Sequence, residues 1–242
     1  MKIIKYKKLQ NGKYEIELDN NEKIKIYEDV ILKENLLWKK EIDNLDDLLK
    51  KNNDYEIEDI AIKRLSHHVE SVNGMKNYLK KKGYEDEIIT KVINKLIEKK
   101  YLNDNYYAKC YVLEHINLTN DGPLKIKKHL DELEINYNDY SEYLNIDNNI
   151  WYERIKKYLD KQQKVNKKSI YIFKNKMLIN LINLGYEKEM INECLNNISV
   201  SNQDELKAKE KEKLRIKLSR KYSGDELERK IKEKLYQKGF FE

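Results

Sequence analysis

Apolar and charged residues alternate along the start of the chain. Tyr14, Ile16 and Leu18 alternate with Glu15 and Glu17, and Ile24 and Ile26 alternate with Lys23 and Lys25. A period of two places alternate side chains on opposite faces of a strand. Asn11–Gly12 has the composition of a two-residue hairpin turn, and Asp19–Asn20–Asn21 that of a second turn. With Ile4 and Tyr6, the segment predicts a small three-stranded meander. A sheet that small needs a cover. Val30, Ile31, Leu36, Leu37, Trp38, Ile42, Leu45, Leu48 and Leu49 follow in helical groupings and are expected to supply it.

From about Glu56 the period lengthens to that of a helix, and a longer pattern is laid over it. Met75–Leu79–Gly83–Tyr84 returns as Ile126–Leu130–Glu134–Ile135, as Met177–Leu181–Gly185–Tyr186 and as Ile231–Leu235–Gly239–Phe240. The four leucines are spaced by 51, 51 and 54 residues. An apolar residue four positions before each leucine shares its helix face. The glycine four positions after it suits a left-handed helix stop, with the next apolar residue folding back on the last turn. Four such signatures in register predict an internal repeat, and with it an extended surface in place of a single pocket.

The repeat unit reads as three helices, placed in its first copy over residues 56–70, 73–82 and 85–99. Ile88, Ile89, Val92, Ile93, Leu96 and Ile97 form a wide apolar stripe on the third. Asn103–Asp104 fits an N-cap for the second copy, and Gly122–Pro123 puts the single proline at a helix start, where its missing N–H costs nothing. Ile191, Cys194, Leu195 and Ile198 share a face near the end of the third copy. Residues 199–204 read as a polar linker, and Ser223–Gly224–Asp225–Glu226 fits a capping box. The expected divisions are 1–55 for the meander and its helix, then repeats at 56–102, 103–148 and 149–200, with an incomplete terminal repeat at 201–242. The fold class is thus mainly α: tandem three-helix repeats in an elongated, curved molecule, with a small N-terminal β subdomain.

Composition supports long, solvated helices. Of the 242 residues 38% are charged, with seven glycines and one proline. The net charge of +6 is unevenly placed. Residues 41–59 carry eight acids against Lys50 and Lys51, a net −6; residues 151–177 carry nine Lys or Arg against Glu153 and Asp160, a net +7. The basic middle points to an anionic partner.

Candidate chemistry adds little. His67, His68, His115 and His129 have no cysteine or carboxylate spacing that makes a metal set, and Cys110 and Cys194 fit no ligand or redox spacing. No phosphate-binding glycine loop, nucleophile elbow or Ser/His/Asp grouping is present. A binding protein without cofactor or metal is therefore expected, not an enzyme. The chain opens on alternation and not on an apolar run, and no stretch approaches the length of a membrane span. A cytoplasmic monomer with no membrane partner is expected.

These residues resemble the RecX family, regulatory proteins of the RecA recombinase. The resemblance is most specific at Tyr78–Leu79–Lys80–Lys81–Lys82–Gly83–Tyr84. It continues through Leu96, Tyr101–Leu102–Asn103–Asp104 and Tyr106–Tyr107–Ala108 to the Gly122–Pro123 helix start. The N-terminal hairpin with Glu28–Asp29–Val30 is similar to the longer form found in Gram-positive bacteria. Glu134 and Lys100 depart from the family by standing where glycine is usual, so the helix before Glu134 is expected to end in another way. The resemblance implies a non-enzymatic inhibitor that binds in the groove of the RecA–DNA filament. It would limit filament growth, ATPase and strand exchange in recombination, repair and the SOS response. Single- or double-stranded DNA is a further possible partner. The basic surface is expected to make the contacts, through Lys80, Lys81, Lys125, Lys128, Arg154, Lys156, Lys157, Lys168, Lys174, Lys176, Arg215, Arg220 and Lys221. Alternative readings are a direct DNA-binding helical repeat protein, marked by steep salt dependence, and a helical adaptor of some other protein.

Overall fold

A computed structural model describes residues 1–10, 12–198 and 203–241. Three antiparallel strands, β1 (Ile3–Lys8), β2 (Lys13–Leu18) and β3 (Lys23–Tyr27), pair in the order β1-β2-β3. Helices α1 (Glu28–Lys33), α2 (Leu36–Lys39), α3 (Leu45–Leu65), α4 (Val72–Lys81) and α5 (Asp86–Glu98) follow. Then come α6 (Asp104–Leu118), α7 (Pro123–Glu132), α8 (Ser141–Leu144), α9 (Asn148–Lys164), α10 (Ile170–Asn183) and α11 (Lys188–Asn196). The last two are α12 (Gln203–Leu218) and α13 (Gly224–Gln237). The fold is mainly α with a small N-terminal sheet, and it divides into two units, Met1–Tyr107 and Ala108–Glu242.

In the first unit the meander is covered as its alternation requires. Ile3, Ile16, Leu18, Ile24 and Ile26 pack with Val30, Ile31, Leu36, Ile42 and Leu48 in one core. Leu37, Trp38 and Leu49, grouped with that cover in the sequence, instead point outward, Trp38 at 86% exposure. The short α2 buries only Leu36, so its other side chains have no core to face. Leu9 N–H donates to Lys13 O at 2.8 Å, ahead of the turn expected at Asn11–Gly12. Asn11 itself lies outside the described residues.

The division expected between residues 55 and 56 falls inside α3. Asn44 caps this helix by accepting from Asp47 N–H at 3.2 Å. Leu48 joins the sheet core, whereas Ile57 and Ala61 join the next core with Met75, Leu79, Ile89, Val92, Ile93 and Leu96. One helix face thus serves two cores, and no break is needed where the sequence changes period. The helix ends at Leu65, five residues short of the expected end. Glu58 on α3 is buried between Lys95 and Lys99. Burial pushes its carboxyl upward in pKa, but the two lysine hydrogen bonds outweigh that and hold it below the usual value.

In the second unit, α9, α10 and α11 pack together and α12 pairs with α13. The second repeat departs from the three-helix reading. After α7 there is only a short 3-10 turn at Tyr137–Asp139 and the four-residue α8. Tyr140 is fully buried there and donates to Asp131 at 2.7 Å. The linker expected at 199–204 lies mostly outside the described residues, and α12 already includes Gln203 and Asp204. Ser223 precedes α13 without the side-chain hydrogen bond of a capping box.

The repeated signature folds in the same way at all four positions. Leu79, Leu130 and Leu181 are fully buried and Leu235 nearly so, each with its apolar partner one turn earlier. Leu79, Leu130, Leu181 and Leu235 carbonyls each accept from the N–H five residues on. Glu134 does not change the ending. It takes φ of 59°, with Ile135 N–H on Leu130 O at 3.1 Å, the same left-handed stop that glycine makes elsewhere. Lys100 does likewise at φ of 59°. The closing hydrogen bonds and the buried Ile135 hold the turn, and the side chain bears the strain. Relief of that strain is worth about 1–2 kcal/mol. The extra freedom of glycine in the unfolded chain takes back roughly 0.5–1 kcal/mol. Glu134→Gly is therefore expected to stabilise by about 0.5–1 kcal/mol in urea unfolding. A drop in stability would mean that the exposed glutamate makes a contact worth more than the strain.

Candidate partner-binding surface

Two joints in the second unit fix where the surfaces of α7, α10 and α13 stand. Gly122 N–H donates to Leu184 O at 2.6 Å, and Leu124 N–H donates to Gly185 O at 3.0 Å. The unused donors at the start of α7 thus satisfy the unused carbonyls at the end of α10. The second joint repeats the idea with a side chain: Ser169, at the start of α10, donates its hydroxyl to Lys238 O at 2.7 Å, just past α13.

A third tie comes from Arg154 on α9. Its guanidinium donates to Thr119 O at 3.0 Å, to Asp121 O at 3.1 Å, to His115 O at 3.4 Å and to Ile116 O. These carbonyls belong to the end of α6 and the loop after it, where the helix ladder runs out; His115 O also accepts from Thr119 N–H and the Thr119 hydroxyl. The Arg154 guanidinium also lies over the Trp151 ring, 5.5 Å from its centroid. Asp121, buried beneath, meets Lys125 at 2.7 Å and His115 Nδ1 at 3.0 Å. Tyr111 is sandwiched between His115 and His129, at centroid distances of 4.0 and 4.4 Å. Burial, with His115 nearby, holds the His129 pKa below its ordinary value.

Arg154 is therefore spent inside the unit and not displayed on the basic surface where the charge pattern had put it. Arg154→Met keeps the stem over Trp151 but removes the donors. It is expected to cost about 1.5–3 kcal/mol, the range for hydrogen bonds from a charged group. Urea unfolding that differs by less than about 0.5 kcal/mol from the parent would mean that water serves those carbonyls equally well.

The other expected contact residues divide into paired and open ones. Lys80 meets Asp86 at 2.8 Å, Lys125 meets Asp121, Lys128 meets Glu132 at 3.8 Å, Lys156 meets Glu153 at 2.8 Å, and Arg215 meets Glu228. Lys81, Lys157, Lys168, Lys176, Arg220 and Lys221 are exposed, and Lys174 is half-buried. Lys168, Lys174 and Lys176 gather on and just before α10. Several members thus neutralise acids on their own or the next helix.

The charge reading missed an apolar surface. Phe173, Met177 and Leu181 fill the buried side of α10, yet Tyr171, Ile179 and Ile182 on the same helix are exposed. Phe241 stacks edge-on against Tyr171 and Tyr236, at 5.0 and 4.9 Å. A sequence signal for this existed. Between Ile170 and Leu184 ten of fifteen residues are apolar, more than one buried stripe requires.

No protein-family model matches the chain. Curated relatives do. A regulatory protein RecX of Streptococcus pyogenes serotype M1 is 31% identical, over 99% of this chain and 95% of its own length. The chain belongs to the RecX family. A second RecX, from Halalkalibacterium halodurans, is 28% identical over 98% of this chain and 94% of its own length. A crystal structure of regulatory protein RecX has the same fold, with a TM-score of 0.62 and 20% identity over 81% of this chain and 99% of that one. Among the described residues, no helix is long and apolar enough to cross a membrane.

Proposed function

We propose that this RecX-family protein is a non-enzymatic modulator of RecA. In this reading it binds along the RecA–DNA filament and limits filament growth, ATP hydrolysis and strand exchange. The observation that carries the reading is the match to relatives named as regulatory proteins, which runs over nearly the whole chain. The fold is compatible with it. Repeated helical modules offer several faces to successive subunits of a filament, and weak contacts at each would add through effective concentration. The exposed cations Lys81, Lys157, Lys168, Lys176, Arg220 and Lys221, with Lys80, Lys125, Lys128, Lys156, Lys174 and Arg215 beside them, would reach phosphates or carboxylates. Arg154, held on the carbonyls that end α6 and follow it, is not among them.

The test is direct. Purified protein is added to RecA assembled on single-stranded DNA while ATP hydrolysis is followed. A dose-dependent fall is expected. No change at saturating protein, together with salt-sensitive binding to bare DNA, would favour the direct DNA-binding reading instead.

A further inference from the structure

We infer that the outward face of α10, continued by the Tyr171–Phe241–Tyr236 cluster, docks on an apolar protein face rimmed by carboxylates. The inference rests on the function proposed above and assigns the protein contact with the filament to this surface.

The helix geometry defines the face. Tyr171, Ile179 and Ile182, with Leu178 at its edge, fall on the side opposite Phe173, Met177 and Leu181. Their exposures are 49% for Tyr171, 60% for Ile179 and 45% for Ile182, and the cluster adds Tyr236 at 65% and Phe241 at 46%. Apolar side chains scattered singly on a surface need no explanation, but three exposed rings in contact, with Ile179 and Ile182 further along the same helix face beyond Asn175, do. Aromatic and aliphatic anchors of this kind are what the desolvated centre of a protein interface uses.

Charge identifies the partner. Lys174 and Lys176 flank the apolar strip, roughly a quarter-turn away on either side. From Lys161 to Tyr186 the sequence has six lysines and no carboxylate. On α13, Glu233 stands one turn before Tyr236 and is paired with Lys230 at 2.9 Å, and Glu210 of α12 is held by Lys238. Along α10 the only charges that flank the face are the two lysines, which complement an apolar face edged by Asp and Glu. Single-stranded nucleic acid fits less well. The three rings meet one another edge-on, at 75° and 70°, and the strip continues into isoleucines that offer no π-face to a base.

The experiment uses the full chain with Ile179→Asp and Ile182→Asp together, and a milder pair, Ile179→Asn with Ile182→Asn, should the first disturb the helix. Co-sedimentation measures affinity for RecA filaments, fluorescence anisotropy measures affinity for bare single-stranded DNA, and circular dichroism follows the fold. A folded variant is expected to lose at least about tenfold in filament affinity, the scale of an interface hot spot, with its DNA affinity unchanged. Parental filament affinity in a folded variant would overturn the inference and leave the proposed function standing. A parallel loss of DNA affinity, or a parent that sediments as a dimer which the substitution dissociates, would also overturn it by naming another occupant. A parent that ignores the filaments would remove the proposed function itself, and the inference with it.

Discussion

Gly185→Ala is expected to destabilise the protein by about 1–4 kcal/mol, net of the roughly 0.5–1 kcal/mol that alanine recovers in the unfolded chain. Two independent costs contribute. Gly185 sits at φ of 86°, a backbone region in which a Cβ costs about 1–2 kcal/mol. The added carbon would also lie 2.4 Å from Lys125 N and 2.9 Å from Lys125 Cα. Those are backbone atoms at the start of α7 and cannot swing aside. Separating the two helix ends by enough to relieve the clash would stretch the Gly122–Leu184 and Leu124–Gly185 hydrogen bonds, and such overpacking costs roughly 1–3 kcal/mol. Gly83 provides the control. It is also left-handed, at φ of 90°, but a Cβ there meets nothing within 4 Å. Gly83→Ala should therefore show only the strain of about 1–2 kcal/mol less the roughly 0.5–1 kcal/mol that alanine recovers in the unfolded chain, a net loss of about 0.5–1 kcal/mol. Equal losses for the two variants in urea unfolding would mean that the α7–α10 joint contributes nothing.

Leu181→Ala is expected to cost about 2–5 kcal/mol, whereas Ile182→Ala, one residue on, should cost under about 1 kcal/mol. Leu181 is fully buried against the core shared by α9, α10 and α11, and truncation leaves a cavity whose walls are helices held by the joints described above. Ile182 is 45% exposed and leaves no such cavity. The contrast tests the register of α10 as well as its burial. A helix rotated by one residue would reverse the order of the two losses, and with it the face assigned to docking.

The helix stops were legible because they are local. An apolar pair one turn apart and a residue able to enter the left-handed region suffice to end a helix, whatever lies across from it. Leu79, Leu130, Leu181 and Leu235 are accordingly buried at the positions their spacing indicated. Glu134 was misread for a related reason. Residue preference at a left-handed position is a matter of about 1–2 kcal/mol, and the closing hydrogen bonds and the buried Ile135 exceed it. The short turn and four-residue helix that follow α7 in the second repeat were not legible, and Tyr140 there meets Asp131 nine positions earlier in the sequence.

The candidate surface was less legible than the fold. Lysine counts mark where charge is, not where it is spent. The paired lysines find acids within six positions, but Arg215 meets Glu228 thirteen positions on, and Arg154 meets carbonyls 33–39 positions earlier.

By itself, the sequence determined the mainly helical class, the meander and the residues that close the four helices ending near Leu79, Leu130, Leu181 and Leu235, because these follow from periodicity and from interactions within a few residues. The RecX resemblance came from the same local signatures. Only the tertiary structure decided which cations remain available and which apolar residues of α10 are left uncovered. Both depend on close approach between distant segments, and a helix carrying more apolar residues than one face can bury shows its working side only when its neighbours are in place.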